Sequence, residues 1–250
     1  MFTRLVHSLT VLLLMAGLGW AQSGGEPQHE LLFDSGREGY LRYRIPVLTV
    51  TTQGTVLAFC EGRKDGGGLE GDIDLVLKRS FDSGRTWQPM ALVADDGPNT
   101  LGNPGAVVDR KTGTIWMALT RSLGEDTEPE IVEGTSKESV RVWMIHSSDD
   151  GASWSSPIDV TQAVKRSDWT WYGTGPGIGI QIADGRLVIP GYHAVAGTKV
   201  RSSHVIYSDD QGKTWKLGGS AGNNNGECQV AQRRDGTLYL TARTSRGSSK

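Results

Sequence analysis

The sequence predicts an all-β protein, and three observations support this: short apolar runs, turn signals between them, and an internal repeat. Each run has the length of a single strand, and no stretch keeps the 3.6-residue periodicity of a capped helix. Glycine accounts for 34 of the 250 residues and tryptophan for 8. Many glycine turns with scattered tryptophans are typical of chains built from short strands.

The apolar runs justify the strands one by one. In chain order the predicted strands are 45–50, 55–60, 73–77, 105–108, 115–119, 140–145, 178–182, 187–189, 204–207 and 238–242. Turn signals ending in glycine separate several of them, and such pairs between two β runs indicate hairpins. These signals are 52–54, 111–113, 183–185 and 234–236. The acidic, polar segment 126–138 is predicted as a loop or a short helix.

An eight-residue pattern, S-x-D-x-G-x-x-W, occurs three times. The copies are 80–87, 147–154 and 208–215, and their starts are 67 and 61 residues apart. We interpret each copy as a tight hairpin in which Asp accepts backbone N–H groups, Gly adopts an unusual backbone angle and Trp packs beneath. Each copy follows an apolar strand. Repeats of this length built from short strands predict propeller blades, and a structural role for these Asp residues.

Charge and cysteine content exclude several classes of protein. Lys plus Arg is 26 and Asp plus Glu is 28, so the net charge of -2 lacks the basic excess of a nucleic-acid-binding protein. The two cysteines, Cys60 and Cys228, are too few for a disulfide-dense scaffold or a four-cysteine zinc site. The sequence leaves open whether they pair or stay as buried free thiols.

Residues 1–21 have the features of a secretory signal. Arg4 and His7 precede an apolar run at 9–18, and Gly19, Trp20 and Ala21 end the segment. The alternative is a membrane anchor, but the run is short for a bilayer span. We therefore expect cleavage after Ala21, a domain from residue 22 to residue 250, no membrane span after cleavage, and a secreted or periplasmic protein.

The three repeats resemble the Asp boxes, or BNR repeats, of secreted bacterial exo-α-sialidases (neuraminidases), and other segments agree. Asp boxes alone occur in other propellers, so the additional segments make the resemblance specific. They are YRIP at 43–46, EGR at 61–63, GDIDL at 71–75, WTWYGTGPG at 169–177, GYH at 191–193, and NGECQ at 225–229 with an Arg sixteen residues after its Glu.

The resemblance implies a six-bladed β-propeller and a retaining exo-α-sialidase that hydrolyses terminal α-linked sialic acid. It implies Arg44 and Arg243 as guanidinium groups that bind the sugar carboxylate, because Arg can grip a carboxylate through two parallel hydrogen bonds. Arg63 has a family counterpart that supports substrate binding. Glu227 resembles the Glu that activates a Tyr nucleophile, since the substrate's own carboxylate would repel an anionic nucleophile.

The general acid departs from the family pattern. Relatives place an Asp about two residues before the Gly-Asp-Ile-Asp segment, and this position holds Leu69, which cannot deliver a proton. Asp65 and Glu70 lie nearby, and the glycine run 66–68 is flexible enough to present Asp65. We assign the acid to Asp65, with Glu70 as the alternative.

Each assignment has a structural alternative. The alternative for Arg44 and Arg243 is that they are surface charges on strands. The alternative for Glu227 is that it is a solvated carboxylate after the polar run 223–226. Core packing is as good an explanation of Trp169, Trp171 and Tyr172 as stacking on sugar. His193 and His204 lack metal-like partner spacing, and we interpret them as structural or surface residues.

The family's third Arg and nucleophilic Tyr have no counterpart before Lys250. We expect both beyond residue 250, about four blades in this chain, and an inactive protein when the chain is alone. The expected partners are sialylated glycoproteins, glycolipids or oligosaccharides, and the mechanism needs no cofactor or metal. Two other functions stay open: a non-catalytic sialoglycan-binding propeller, which Leu69 favours, and a glycosidase for a related acidic sugar.

Overall fold

The computed structural model describes residues 29–65, 68–198 and 200–244. The predicted signal segment, residues 1–21, lies outside these ranges. The contacts divide the chain into residues 1–32 and residues 33–250. Of the first unit, residues 29–32 are described and contain no helix or strand, so every element below belongs to the second. Within the described ranges, no helix has the length and apolarity needed to cross a membrane.

The all-β prediction is confirmed, and the strands form successive antiparallel meanders. The first meander consists of β1 (Arg42–Val50), β2 (Val56–Arg63), β3 (Ile73–Ser80) and β4 (Ala91–Ala94). Each strand pairs antiparallel with the next. The Thr51 side chain accepts N–H groups of Gln53 and Thr55 in the β1–β2 turn, and Gly54 there has φ +87°. The predicted turn at 52–54 therefore connects β1 and β2 in a hairpin.

The second meander repeats this order. It contains β5 (Thr100–Val108), β6 (Ile115–Ser122), β7 (Arg141–Ser147) and β8 (Ile158–Asp159), with α1 (Glu128–Glu133) between β6 and β7 and α2 (Thr161–Val164) after β8. The segment 126–138 thus contains a short helix. Its start is stabilised because Glu130 Oε2 accepts the N–H of Thr127 at 3.0 Å, and Gly134 ends it in the left-handed conformation.

After the second meander come β9 (Trp169–Thr174) and β10 (Gly177–Ile178), and β10 joins the sheet of the first two meanders. The third meander consists of β9 with β11 (Ile180–Gln181), β12 (Leu187–Val195), β13 (Arg201–Ser208) and β14 (Lys216–Asn223). A separate pair follows, in which β15 (Asn225–Gln232) pairs with β16 (Leu238–Thr244). The run 178–182, predicted as one strand, is divided at Gly179. β10 pairs parallel with β5, whereas β11 pairs with β12. A Cβ at Gly179 would lie 2.4 Å from the Val188 carbonyl oxygen, so only glycine fits this crossing.

Sequence reasoning missed five strands: β4, β8, β9, β14 and β15. β4 and β8 are short and largely exposed, and β14 is polar and glycine-rich with little burial. β8 and β14 lack an apolar pattern because they bury little surface, whereas β4 is apolar but only four residues long. β9 is buried almost throughout, so its sequence does not alternate either.

The three Asp-box repeats adopt the same hairpin, as predicted. In the first, Asp82 Oδ1 accepts the N–H of Thr86 at 2.8 Å, Ser80 Oγ accepts the N–H of Gly84 at 2.8 Å, and Gly84 has φ +86°. Asp149 and Asp210 make equivalent bonds. The hydroxyls of Thr86, Ser153 and Thr214 also donate to these carboxylates, which helps to lower the pKa of each Asp to about 2.

Two of the Asp-box hairpins also form hydrogen bonds with the preceding meander. The hydroxyl of Thr55, before β2, donates to Asp150 of the second box. The indole N–H of Trp116, in β6, donates to the backbone oxygen of Gln211 in the third box at 3.0 Å. The boxes therefore brace their own turns and also hold neighbouring meanders together.

The core lies between adjacent meanders. One apolar cluster joins β2 and β3 to β5 and β6, and a larger one joins the second meander to β9, β12 and β13. Cys60 and Cys228 are buried free thiols. Burial raises the pKa of the Cys60 thiol to about 12 and that of Cys228 to about 11.

Candidate functional site

Residues from several meanders meet at the ends where β1, β5, β9 and β15 begin. Hydrogen bonds between meanders hold this end together. Oε1 of Glu61 accepts the backbone N–H of Asn103 at 2.8 Å, and Thr174 donates its hydroxyl to the Asn103 carbonyl. The N–H of Cys228 donates to the Gly175 carbonyl at 2.9 Å. The candidate residues do not share one cavity: Glu227 and Arg243 line one pocket, and Arg63 lines a separate inner cavity.

Arg44 lies beside a β-bulge near the start of β1. Pairing with β2 shifts register between Arg44 and Val47, and Ile45 has φ +52°, which is uncommon for a β-branched residue. The Arg44 carbonyl accepts the Cys60 thiol at 2.9 Å. Bulges re-aim side chains next to active sites. Arg44 is exposed and stands opposite Glu61 in the ladder, so its guanidinium is accessible to a ligand.

Arg63 is enclosed in the protein. Its Nη2 lies 2.5 Å and its Nε 3.0 Å from Oε2 of Glu61, and both side chains are 2% exposed. Its Nη1 donates to the carbonyl of Gly68. The guanidinium thus connects the end of β2 to the loop that leads to β3. Arg63 therefore holds both Glu61 and this loop in place.

Leu69 and this ion pair line the same inner cavity. Leu69 lines an inner cavity of about 10 Å³ together with Glu61, Arg63, Asn103 and Trp171. Its side chain packs against the larger apolar cluster, which joins the second and third meanders. A cavity of this size accommodates about one water molecule. An apolar side chain therefore lines the cavity at the position where the sequence resemblance leads us to expect an acid.

Asp65 and Glu70 both fold back onto their own loop. Oδ2 of Asp65 accepts the N–H of Asp72 at 3.2 Å, and Oε2 of Glu70 accepts the N–H of Leu69 at 3.1 Å. Asp65 is exposed and Glu70 half-buried. Among the described residues, the inner cavity is lined by Leu69 and by neither of these two carboxylates. The assignment of the acid to Asp65 stays a prediction.

Glu227 and Arg243 form an ion pair in a pocket of about 240 Å³. Nη1 of Arg243 lies 2.8 Å from Oε2 of Glu227, and this contact raises the pKa of Arg243 further. A register shift between Asn225 and Cys228 in the β15–β16 pair lies at this point. Tyr192 and Arg201 also line the pocket, and burial raises the pKa of Tyr192 to about 12. The sequence did not indicate Arg201 as a site residue.

The backbone before Glu227 is held by buried hydrogen bonds. Ser203 Oγ donates to the carbonyl of Gly226 at 2.6 Å, and the Ser203 N–H donates to Oδ1 of Asn225 at 2.5 Å. Ser203 is fully buried. Ser203 of β13 therefore holds the segment 225–226 in place. The sequence did not indicate this role of Ser203, because a serine in a strand carries no functional signal.

The aromatic residues of the third meander belong to the core. Trp169, Trp171 and Tyr172 are each at most 5% exposed. The ring of His193 stacks on Trp169 with centroids 3.4 Å apart, and its Nδ1 lies 3.0 Å from Nδ1 of His204. Both histidines are buried. Core packing, rather than contact with solvent, accounts for these side chains.

Two other features are less suited to a reaction. A larger groove of about 540 Å³ lies at the opposite ends of β1 and β5, and Arg110 is the charged residue of its described lining. Asp72, Asp74 and Asp95 place carboxylate oxygens within 4.8 Å of one another. Lys64 Nζ already lies 2.9 Å from both Asp72 and Asp74, so a lysine neutralises part of this cluster.

Comparisons with known proteins agree with this arrangement. The profile of a BNR repeat-like domain matches residues 54–250. A sialidase of Bacteroides fragilis is 34% identical over 232 residues, which cover 86% of this chain and 42% of that protein. Sialidase-4 of Homo sapiens is 34% identical over 249 residues, or 89% of this chain and 50% of that protein. The solved structure of the Hadza microbial sialidase Hz136 superposes with a TM-score of 0.76 at 32% identity, covering 85% of this chain and 44% of that one.

The antiparallel meanders with their Asp-box hairpins define a BNR-repeat protein. The chain belongs to the sialidase family with BNR repeats. It spans about half the length of the curated relatives that it matches.

Proposed function

We propose that the protein containing this chain is a retaining exo-α-sialidase that hydrolyses terminal α-linked sialic acid from glycoproteins, glycolipids or oligosaccharides. The observation that carries the proposal is the Glu227–Arg243 pair in its pocket, on the segment that resembles the catalytic segment of sialidases. The family membership and the fold likeness support it.

The arginines bind the substrate in this proposal. Arg44 is exposed beside its bulge, and the Arg243 side chain is 76% exposed, so both guanidinium groups are open to a carboxylate. A guanidinium stays charged at every relevant pH and binds carboxylates bidentately. Arg63 contributes to substrate binding indirectly, because it holds Glu61 and the loop at Gly68 in place.

Glu227 activates the nucleophile. A free Tyr hydroxyl titrates near pH 10, so a neighbouring carboxylate must draw off its proton at neutral pH. The Tyr is expected beyond residue 250. Arg243 holds one oxygen of Glu227, which orients the carboxylate towards the pocket. The Tyr attacks the anomeric carbon, the leaving oxygen takes a proton from the acid, and water then releases the sugar with retention.

The finer architecture and the location belong to the same proposal. The meanders are blades of a six-bladed propeller with the pocket on its axis, and a closed propeller protects its edge strands. Residues 1–21 direct export, so the protein acts in the periplasm or outside the cell.

A non-catalytic sialoglycan-binding protein is the second candidate function. The position of Leu69 favours it, because an apolar side chain lines the cavity where an acid is expected. The intact Glu227 argues against it. A glycosidase for a related acidic sugar would keep the arginines and differ in the rest of the pocket.

Hydrolysis by the full-length protein tests these alternatives. An aryl α-sialoside has a good leaving group, whereas sialyllactose needs an acid. Cleavage of both supports a complete sialidase, and cleavage of the aryl substrate alone means that the acid is missing. If a folded protein cleaves neither but binds sialyllactose, the binding protein is correct. Activity on another acidic sugar alone would identify the related glycosidase.

A further inference from the structure

Arg201 lines the same pocket as Glu227 and Arg243 and has no role in the chemistry above. It is the first residue of β13, where it pairs with Ala194 of β12. Tyr192 on β12 lies in the same lining. A second guanidinium therefore faces the pocket from the third meander, whereas Arg243 faces it from β16.

Two contacts hold the Arg201 side chain in place. Its Nη2 donates to Oε1 of Glu128, the first residue of α1. Its guanidinium carbon lies 5.7 Å from the centre of the Trp171 ring. The Arg201 and Glu128 side chains are 28% and 29% exposed, so the ion pair is partly shielded from water. An ion pair and an aromatic face together restrict the rotamers of an arginine.

The surroundings of Arg201 suit a neutral acceptor better than a second carboxylate. An arginine has five N–H donors, and the described contacts of Arg201 use Nη2 alone. Glu128 compensates its charge. Arg243, in contrast, is 76% exposed and contacts Glu227 through Nη1 alone, so its other donors are open to a substrate carboxylate. The two arginines thus differ in how far their charge is already neutralised.

We propose that Arg201 is a specificity-determining residue that donates hydrogen bonds to a neutral acceptor oxygen of the acidic sugar, away from its carboxylate. The acceptor is a terminal hydroxyl of the polyol arm or the carbonyl of the acyl group. Glu128 is a positioning residue that acts through Arg201. This inference rests on the proposed function, because it takes the pocket as the sugar-binding site.

Three aryl α-glycosides distinguish the acceptors when tested on the full-length protein. The first is the N-acetylneuraminide, the second has its polyol arm shortened by two carbons and their hydroxyls, and the third carries a hydroxyl in place of the acylamino group. We expect R201Q to lower kcat/KM for the first substrate roughly 10- to 100-fold, as loss of a charged hydrogen bond does. The loss should disappear for the substrate that lacks the acceptor, and this substrate identifies it.

Further variants separate positioning from folding. E128Q should raise KM for the first substrate several-fold with kcat little changed, and R201K should recover part of the loss. R186Q is the matched control, because Arg186 forms an ion pair with Asp209 and lies 4.4 Å from the Tyr207 ring outside the pocket. It should behave as the wild type. Equal losses of R201Q on all three substrates, or no loss, would overturn the inference.

Binding measurements keep this result separate from the proposed activity. If the wild type hydrolyses none of the glycosides, calorimetry with the three free acidic sugars replaces kinetics. Binding of the intact sugar that R201Q weakens, with no weakening for one analogue, supports the role of Arg201 and rejects catalysis. A wild type that neither cleaves nor binds these sugars would overturn both proposals.

Discussion

Nη1 of Arg243 donates a hydrogen bond across 2.8 Å to Oε2 of Glu227, although sixteen residues separate the two in the chain. The Arg243 side chain is 76% exposed and that of Glu227 is 37% exposed, so water reaches both partners of the pair. Exposed ion pairs contribute little to stability. Removing the charge of Glu227 should therefore affect chemistry much more than folding.

The first prediction concerns Glu227→Gln in the full-length protein. The amide cannot take the nucleophile's proton, so kcat on an aryl α-sialoside should fall roughly 10²- to 10⁴-fold with little change in Tm. D209N is the control, because Asp209 also forms a partly exposed ion pair, with Arg186. D209N should keep full activity. An unchanged kcat in the E227Q variant would reject the role of Glu227.

The second prediction concerns the acid. If Asp65 donates the proton, D65A should lower the rate on sialyllactose and leave the aryl substrate little affected, because a good leaving group needs no proton. E70A is the parallel test for Glu70. Equal activity of both variants and the wild type on sialyllactose would exclude both carboxylates.

Leu69→Asp provides the converse experiment. The Leu69 side chain lines the inner cavity beside Glu61 and Arg63. An Asp there should increase hydrolysis of sialyllactose relative to the aryl substrate if the acid is missing. L69N has the same shape without a proton to donate and should show no increase.

The third prediction concerns the buried Glu61–Arg63 pair. R63M leaves the Glu61 carboxylate buried without its partner and should lower the free energy of unfolding by about 3–5 kcal/mol. Urea unfolding of the full-length protein measures this. The double variant E61Q/R63M should be more stable than R63M alone, since it has no unpaired buried charge. If the single and double variants were equally unstable, the loss would come from packing instead.

The fourth prediction compares two glycines with similar backbone angles. Gly212 has φ +92° and Gly236 has φ +86°. A Cβ at Gly212 would lie 2.0 Å from Cε2 of Trp116, whereas one at Gly236 has nothing within 4 Å. G236A should cost about 1–2 kcal/mol from backbone strain. G212A should cost an additional ~1–3 kcal/mol because Trp116 must move, and thermal unfolding measures the difference.

The fifth prediction concerns pH. Burial lowers the pKa of His193 to about 4 and that of His204 to about 3, from 6.5 in an unfolded chain. Between pH 6.5 and about 4 the unfolded chain binds protons that the folded protein does not, so stability should decrease as pH falls through this window. At pH 7 and above both imidazoles are neutral in the folded and the unfolded chain, so the two histidines cause no loss of stability there.

Urea unfolding at about pH 7.5, 6.0 and 5.0 tests this effect. H193Q should give a smaller loss of stability across this range than the wild type, because one of the two buried imidazoles is gone. H29Q, at an exposed histidine, should keep the wild-type dependence. An H193Q slope equal to that of the wild type would contradict the assignment.

Local sequence signals predicted much of the fold. The Asp-box hairpins were predictable because Ser, Asp and Gly at fixed spacing satisfy one turn by themselves, without other parts of the chain. Most strands with apolar runs were predictable because they bury surface, whereas the four-residue apolar strand β4 was missed. β14 was missed because its polar, glycine-rich sequence buries little, and the break at Gly179 because it depends on Val188 in another strand.

The sequence by itself determined the strand class, the three hairpins, the family resemblance, and Arg44, Arg243 and Glu227 as candidates. Only the tertiary structure decided that Arg63 is enclosed with Glu61, that Leu69 lines the inner cavity, and that Arg201 with Glu128 enters the pocket. The physical reason is the distance along the chain over which the deciding interactions act. A turn is determined by bonds within a few residues, whereas burial and charge pairing depend on which distant segments the fold brings together; 73 positions separate Glu128 from Arg201.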